Sequence, residues 1–544
     1  MRASFFEFNI GAYGLFAAQH GLSVTSNNIT NANTVGYSRQ VITQQAGKAL
    51  PNAGIGMVGT GVNVTGIERI RNSYLDTKIW AQKPILGEYR VKSEQLALIE
   101  GVFGEPSEVG FTAIFNDFFD SLDDLSKIPD EGERKVALMQ NMKSFTQYFN
   151  GIASSLEKYQ RDLNFEVKNK VDEINIISRR LESLNKQIYQ AEIYSGGMAN
   201  ALRDERELQI DRLSEIINVD AKEYEVIGET GEVHKRYSVK INGQTLVDHF
   251  TSRELDLKVR GEKNNSEDVE GLYDVIWKDG LSFRMNDSNL SGELKGAIDM
   301  RDGNANASDV DTGQEAYAYR GIPYYIQRLD NFVQKFALHL NEVYKDGINE
   351  DGETGSFLFG FGEKLDDSGD PVTMDGLDDL IAAAIADDPT GNKDEIRTEV
   401  IAEFYKDNFT ASNFSVNQEI LDDPSAIRTT TDPDKLPGGN DLILDGLMGL
   451  KHDRKMFKEG EPNDYMISIF SELGINAKEA NMYSASQSNM VNAIENQRLS
   501  VSQVDQNEEM LSLVKYQQAY QAAARIITTM DTIYDITINR MGIS

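Results

Sequence analysis

The sequence contains no cysteine in 544 residues. Disulfides, thiol nucleophiles and thiolate metal sites are therefore excluded together. Positive charge is also scarce, because 54 Lys and Arg stand against 87 Asp and Glu, which gives a formal net charge of −33 at pH 7. This charge is spread along the chain, so it repels phosphate backbones and anionic headgroups throughout. We therefore expect neither nucleic acid nor a membrane surface among the partners.

Long apolar runs are missing as well. No window approaches the roughly 18 to 20 apolar residues that a transmembrane helix needs, so we expect no membrane insertion. The first residues, MRASFFEFNIG, have a basic residue followed by apolar ones, as a secretory signal does. However, Glu7 and Asn9 interrupt the apolar run too early. If the protein leaves the cell, we expect it to do so without a cleaved signal peptide.

Recognisable catalytic and ligand-binding motifs are lacking too. The 5 histidines lie in different predicted elements, and none has a second ligand at metal-site spacing. A GxGxxG pattern at 54–59 is followed by strand-like residues, whereas a dinucleotide site needs a helix there, so we interpret its glycines as hairpin glycines. The acidic run 346–355 would put Gly347 and Leu358 at the ends of a calcium loop, where neither side chain can coordinate. We predict no catalytic, cofactor-binding or metal-binding residues, and no enzyme activity.

The two ends of the chain are the most regular parts of the sequence. Residues 507–541 contain neither glycine nor proline, and their apolar side chains recur at steps of three and four, which predicts a long helix with a narrow coiled-coil seam. The seam consists of Met510, Leu513, Gln517, Tyr520, Ala524, Ile527, Met530, Tyr534, Ile538 and Met541. A second seam, between Phe5 and Ile29, consists of Phe8, Leu15, Leu22 and Ile29. Three glycines weaken this second helix by about 1 kcal/mol each. We expect the terminal helices to pair, antiparallel or crossed, with the rest of the chain inserted between them.

The middle of the chain alternates between helical and strand periodicity. Helices are predicted at 88–100, 112–127 and 131–193, and the last would form a rod on the order of 90 Å long. Period-2 runs separated by turn signals predict a compact β unit between 219 and 290. Helical periodicity resumes at 292–296 and at 313–344. The following acidic residues, 347–415, predict a surface insertion with one weak helix near 377–386.

The predicted fold class is mainly α with an inserted β domain, that is, a multidomain α+β protein. It would combine terminal coiled-coil helices, a long helical-bundle rod and a β-rich outer domain. The expected division is 1–85 (N-terminal helix, turn and β-hairpin), 86–218 (first part of the helical rod domain), 219–290 (inserted β domain), 291–346 (return helices of the rod domain), 347–415 (acidic surface insertion), 416–500 (last part of the rod domain) and 501–544 (C-terminal helix).

Two short segments carry a family resemblance. Residues 26–39, SNNITNANTVGYSR, closely resemble the N-terminal signature of the bacterial flagellar axial family of rod, hook and hook-associated proteins. Residues 516–525, YQQAYQAAAR, resemble the matching C-terminal motif. The long helix after residue 131 and the sequence GELKG at 292–296 resemble the hook–filament junction members of that family. The resemblance covers roughly residues 1 to 215, 290 to 345 and 458 to 541.

This resemblance implies a non-enzymatic subunit of the hook–filament junction, exported unfolded through the flagellar type III apparatus. Its partners would be identical copies of itself in a ring, the hook protein, the second junction protein (hook-associated protein 3) and an export chaperone on the C-terminal helix. No cofactor is implied, and the β domain would face outward. The expected assembly residues are Leu15, Leu22, Asn28, Asn31, Asn33, Gly36, Tyr37, Arg39, Tyr516, Gln517, Tyr520, Ala524, Ile527 and Tyr534. We also expect the terminal helices to be largely unfolded in the isolated monomer and to fold on assembly.

Two alternatives remain open from the sequence. The first is another axial protein, a hook or distal rod subunit, which would differ in the length of its helical rod. The second is a secreted carbohydrate-active or proteolytic enzyme with a site between residues 219 and 410.

Overall fold

The computed structural model describes residues 6–52, 56–104, 110–227, 233–287, 289–305, 318–348, 354–362, 372–374, 376–387, 392–432, 434 and 442–540. The helices are α1 (Phe6–Thr30), α2 (Ser73–Phe103), α3 (Phe111–Lys127), α4 (Gly132–Ser195), α5 (Asn200–Ile216), α6 (Glu293–Asp302), α7 (Ile322–Tyr344), α8 (Gly376–Asp387), α9 (Lys393–Asn408), α10 (Gln418–Asp422), α11 (Leu442–Gly449), α12 (Pro462–Ser502) and α13 (Gln506–Asp535). Short 3₁₀ turns occupy Pro424–Ala426 and Leu450–His452, and a π turn occupies Ile536–Arg540.

The strands are short and all pair antiparallel. They are β1 (Gln40–Ala46), β2 (Leu50–Asn52), β3 (Gly56–Val58), β4 (Val62–Arg69), β5 (Val219–Ile227), β6 (Val233–Ile241), β7 (Gln244–Asp248), β8 (Thr251–Ser252), β9 (Leu255–Val259), β10 (Tyr273–Trp277), β11 (Phe359–Phe361) and β12 (Phe414–Val416). Strands β5, β6, β7 and β8 form one sheet in chain order, and β1–β4, β2–β3, β9–β10 and β11–β12 form two-stranded sheets. Mainly helical architecture with inserted β structure is therefore confirmed.

Helix α4 is the long rod that the heptad pattern predicts. It has 64 residues and would be about 96 Å long at the usual helical rise. The predicted seam positions Phe145, Phe149, Leu163, Val167 and Val171 are all at most 1% exposed. The near-heptad pattern therefore identified both the extent of this helix and its packed face.

An aromatic core surrounds the first half of α4. Phe149 stacks on Phe332 of α7 with ring centres 5.2 Å apart, and Phe111 of α3 meets Phe332 edge to face. Phe359 and Phe414, from the two ends of the segment 347–415, lie in the same core and are 0% and 1% exposed. The expectation of a surface insertion is thus wrong at both ends of that segment, because strands β11 and β12 fill space beside α4. Helix α9 within it was not predicted, and the acidic run 349–353 lies outside the described residues.

The strands between 219 and 277 lie along α4. Amide side chains of α4 bond directly to their backbone: Asn175 donates to the Leu255 carbonyl (2.9 Å) and accepts from the Leu255 N–H (2.8 Å), and Asn185 donates to the His249 carbonyl (2.9 Å). The chain enters and leaves this unit at one place, where the Asn218 N–H donates to the Ser291 carbonyl at 3.2 Å. The β unit is therefore anchored on the rod along its length.

The sequence GELKG begins α6 and is a packing requirement. Gly292 has φ 112°, and a Cβ there would collide with the backbone of Ile216. A Cβ on Gly296 would lie 2.7 Å from the Glu88 carbonyl oxygen. Between them, Glu293 is 2% exposed and pairs with Lys170 of α4 (2.6 Å) and with Arg90 of α2. The motif thus joins α2, α4 and α6.

Helix α2 differs from its prediction at its start. It begins after Asn72, whose side chain accepts from the Tyr74 N–H at 3.0 Å, and continues through a buried Pro84. The sequence pattern predicted a helix only from residue 88 and a domain boundary between residues 85 and 86. The structure places residues 85 and 86 inside α2, so this boundary needs correction. Gly56 lies in strand β3, and Gly59 follows that strand before β4 begins, where the interpretation as hairpin glycines needs them; Gly54 lies outside the described residues.

Candidate functional site: the paired terminal helices

The two terminal helices pack against each other in antiparallel orientation. Asn28, at the end of α1, bonds Glu509 at the start of α13 (3.1 Å), whereas Gly11 of α1 lies against Ile527 near the other end of α13. The predicted pairing of chain ends is therefore present. Phe5 and Met541 lie outside the described residues.

Glycines line the contact between these helices. A Cβ built on Gly21 would lie 2.5 Å from the Tyr516 ring, one on Gly11 would lie 3.1 Å from Ile527, and one on Gly14 would lie 3.8 Å from Ala523. The residues that weaken α1 as a single helix are thus those that let α13 approach closely. The predicted stripe Phe8, Leu15, Leu22 and Ile29 flanks this contact and is half-buried. Its assignment as the centre of the seam was wrong, because the close approach needs small side chains.

Only some of the residues predicted for the seam of α13 are covered in the structure. Tyr516, Ala524, Ile527 and Tyr534 are half-buried, whereas Gln517 is exposed and Tyr520 is 38% exposed. Several large apolar side chains of the pair remain exposed, among them Phe16, Met510, Leu511, Val514, Ile526, Ile533 and Ile538.

Asn28 is the centre of the N-terminal signature and is 1% exposed. Its amide nitrogen donates to the Gln40 carbonyl (2.9 Å) and to Glu509 (3.1 Å). Its amide oxygen accepts from the Gln40 N–H (3.0 Å) and from the Tyr37 hydroxyl (2.9 Å). These four bonds saturate the amide. One side chain therefore holds α1, the start of β1 and α13 in register.

Two neighbours complete this junction. Arg39 donates to Glu509 (2.7 Å) and to Glu508 (2.9 Å), and its backbone N–H donates to the Ser502 carbonyl (2.9 Å). Burial, followed by the carboxylates of Asp204 and Glu509, raises the pKa of Tyr37 to about 12. Its hydroxyl therefore remains protonated and continues to donate to Asn28.

The remaining signature residues shape the turn. Asn31 donates to the Asn27 carbonyl (3.0 Å) and so closes the end of α1. Gly36 has φ 81°, a backbone conformation that residues other than glycine rarely adopt. A Cβ added there would lie 3.4 Å from the Leu208 side chain of α5. Asn33 and Val35 lie on the exposed part of the turn, where Val35 is 80% exposed.

A buried ionic network below the turn was not predicted. Ser38 bonds Asp204 through its N–H (3.0 Å) and its hydroxyl (2.8 Å), and Arg69 of β4 also donates to Asp204 (2.9 Å). The network continues through Arg71, Asp76, Trp80, Glu207, Asp211 and Arg498. It joins the signature to α2, α5 and α12. One signal was available in the sequence, because Asp204, Glu207 and Asp211 share one face of α5 at helical spacing.

Burial and arginine contacts shift the pKa values of the carboxylates of this network in opposite directions. Burial by itself would raise the pKa of Glu207, but Arg71 and Arg69 outweigh it and the pKa is lowered. For Asp76, burial outweighs the bonds from Arg71, and the pKa is raised. Removing one partner from such a network would leave an uncompensated buried charge, and the network ties the turn after α1 to the helical domain.

Within the described ranges, no group of three or more His, Asp or Glu side chains could hold a metal ion. His20, His339 and His452 lie in α1, α7 and a 3₁₀ turn, respectively. Among the helices the structure describes, none has the length and apolarity of a membrane span.

Three family models match the chain in order. A model described as "Flagella basal body rod protein" matches residues 8–37, and one described as "Flagellar basal body rod FlgEFG protein C-terminal" matches residues 495–541. Between them, "Flagellar hook-associated protein FlgK helical domain" matches residues 96–359. The first two models thus cover α1 with its signature and α13.

Similar proteins extend this match to the whole chain. Flagellar hook-associated protein 1 of Bacillus subtilis (strain 168) is 29% identical over 100% of this chain and 99% of the relative. Flagellar hook-associated protein 1 of Escherichia coli (strain K12) is 25% identical over 97% of this chain and 98% of the relative. A solved structure, the flagellar hook junction protein FlgK from Burkholderia pseudomallei, is 17% identical with a TM-score of 0.40, over 53% of this chain and 47% of that chain. The family models and the end-to-end relatives together show that the chain is similar along its whole length to flagellar hook-associated proteins 1.

Proposed function

We propose that this chain is a non-enzymatic structural subunit of the bacterial flagellum that forms the junction between hook and filament. The observation that carries the proposal is the apolar surface that the α1–α13 pair leaves exposed. Leu511 is 72% exposed, Phe16 and Met510 are each 54% exposed, and Val514 is 48% exposed. Met510, Leu511 and Val514 are neighbours on α13 at helical spacing, and exposed apolar patches of this kind are characteristic of protein interfaces.

Assembly into a ring of identical subunits would cover this surface. An isolated pair of helices buries too little apolar area to offset the roughly 1 to 2 kcal/mol per residue that ordering its backbone costs. Packing of each α1–α13 pair against neighbouring pairs would supply the missing contacts. The same step would then both order the termini and join the subunits.

The signature residues divide into two roles in this proposal. Asn28, Gly36, Tyr37 and Arg39 are occupied by contacts within the subunit, so they would position the terminal pair rather than touch a neighbour. Exposed residues of α13, Gln517 and Tyr520, would contact the next subunit, together with the exposed apolar side chains. Leu15, Leu22, Tyr516, Ala524, Ile527 and Tyr534 would contribute to both packing surfaces, and Asn31 and Asn33 would shape the turn between them.

The finer assignments follow from the same proposal. The partners would be the hook protein on one side, hook-associated protein 3 on the other, and an export chaperone on α13 before assembly. The protein would be exported without a cleaved signal and would act outside the cell. The division into an axial part, a rod domain and an outward-facing β domain is part of this proposal, with the first boundary moved to the start of α2.

The two alternatives have less support. A hook or distal rod subunit would be expected to match models of those proteins over its middle, whereas residues 96–359 match the hook-associated helical domain. For a hydrolase with a site between 219 and 410, the model that matches most of that region is described as a flagellar helical domain and not as an enzyme.

The test is Leu511→Glu, with Leu511→Met as its matched control. Both variants alter a side chain that is 72% exposed, so both should fold, with unchanged far-UV circular dichroism. In cells whose only copy is the variant, Leu511→Glu should leave hooks without filaments and release subunits into the medium, whereas Leu511→Met should support filaments. Wild-type filament numbers with Leu511→Glu would refute assembly through this surface.

A further inference from the structure

A second site lies apart from the terminal helices, between α4, α5 and the β5–β6 hairpin. It is a half-open cavity of about 260 Å³. Its polar and aromatic lining includes Tyr189, Arg203, Arg206, Glu223, Lys235 and Tyr237. No contact described for the terminal pair involves this cavity.

The carboxylates of the cavity are already occupied by Arg203. Its guanidinium makes two bonds to Glu192 (2.6 and 2.9 Å) and also donates to Glu223 (3.0 Å). Both carboxylates that line the cavity are therefore held mainly by one arginine, and Arg206 reaches Glu223 only at 3.8 Å.

Arg206 is a cationic group of the cavity with only weak partners. It is 3% exposed, and its guanidinium carbon lies 3.7 Å from the centre of the Tyr237 ring. Its hydrogen bond to Asn185 is long at 3.4 Å, and its distance to Glu223 is 3.8 Å. Its Nε is buried with no acceptor. A buried guanidinium stays charged and normally bonds a carboxylate or phosphate, so this one lacks an anion.

We propose that this cavity binds a carboxylate, which would accept hydrogen bonds from Arg206 while Lys235 at the rim adds positive charge. The cavity lining carries three cationic and two anionic side chains, and Glu207 acts on Arg206 from close by, so the charges favour a monoanion over a multiply charged ligand. Tyr237 and Tyr189 would flank its apolar stem. Beside the cavity, Ile193 is 55% and Tyr194 is 90% exposed, so the carboxylate could belong either to a free molecule or to an Asp or Glu of a second copy of this chain.

The test titrates the full chain with N-acetyl-L-glutamate amide and, separately, with its neutral isostere N-acetyl-L-glutamine amide. The Nε–Hε resonance of Arg206, assigned by its loss in Arg206→Lys, should shift saturably with the glutamate compound alone. Lys235→Gln changes an exposed side chain and should weaken that binding several-fold. No saturable shift, or an equal response to the glutamine compound, would overturn the proposal.

Two further measurements keep the test decisive. If Arg206→Lys does not fold, the melting temperature of the wild-type chain is the readout, and only the glutamate compound should raise it. Sedimentation distinguishes the two sources of the carboxylate. Self-association that the glutamate compound suppresses, and that Lys235→Gln weakens, would assign it to a second copy. Saturable binding by a chain that stays monomeric would assign it to a free molecule.

Discussion

Alanine substitutions at Gly21 and Gly14 should change the stability of the terminal pair in opposite directions. In a solvated helix each change would stabilise α1 by about 1 kcal/mol, because glycine is a poor helix former. At Gly14 the new methyl would make ordinary contact with Ala523 at 3.8 Å, so the gain should be kept. At Gly21 it would lie 2.5 to 2.7 Å from three atoms of the Tyr516 ring, which must then move.

The expected change in stability combines the gain in helix propensity with the cost of overpacking. Overpacking of this kind costs about 1 to 3 kcal/mol. The propensity term is common to both variants, so they should differ by the overpacking cost alone. Gly14→Ala should stabilise the pair by up to about 1 kcal/mol, and Gly21→Ala should be neutral to destabilising by up to about 2 kcal/mol.

Native-state hydrogen exchange of α1 and α13 in the assembled protein measures this difference. Protection should rise in Gly14→Ala and fall in Gly21→Ala, and adding Tyr516→Ala to the latter should relieve the overpacking. Equal changes in protection for both single variants would refute the argument that close approach at Gly21 sets the packing of the terminal pair.

Two further predictions concern a buried carboxylate and the order of the terminal helices in the monomer. Burial raises the pKa of Asp330 to about 7, so its charged form is disfavoured in the fold and the stability it provides at low pH is lost as the pH rises from about 4 through 7. Asp330→Asn can still accept from the Ala411 N–H but does not titrate. Its free energy of unfolding in denaturant, relative to the wild type, should therefore rise between pH 5 and pH 8 by at most about 4 kcal/mol. An equal difference between the two proteins at pH 5 and at pH 8 would contradict this. In a verified monomer, exchange and proteolysis should be fast within about the first 50 and last 50 residues and slow in the middle, whereas slow exchange throughout α1 and α13 would show that the pair is stable alone.

The local periodicity of the sequence predicted most of the helices and strands. Helix α4 was predicted within a few residues of its ends, because an uninterrupted near-heptad pattern over that length fits few other structures. The terminal helices, the strands marked by turn residues, and the family signature at both ends were also readable from the sequence. Each of these depends on residues that are close together in the chain.

Packing partners were decided only by the tertiary structure. Large apolar residues defined the expected seam of α1, but the observed contact uses Gly11, Gly14 and Gly21, since the depth of a groove depends on which helix fills it. The network around Asp204 and Asp211 was missed because its arginines lie far away in sequence, at 69, 71 and 498. Periodicity shows which face of a helix is buried, whereas the residue that covers that face depends on how distant segments meet.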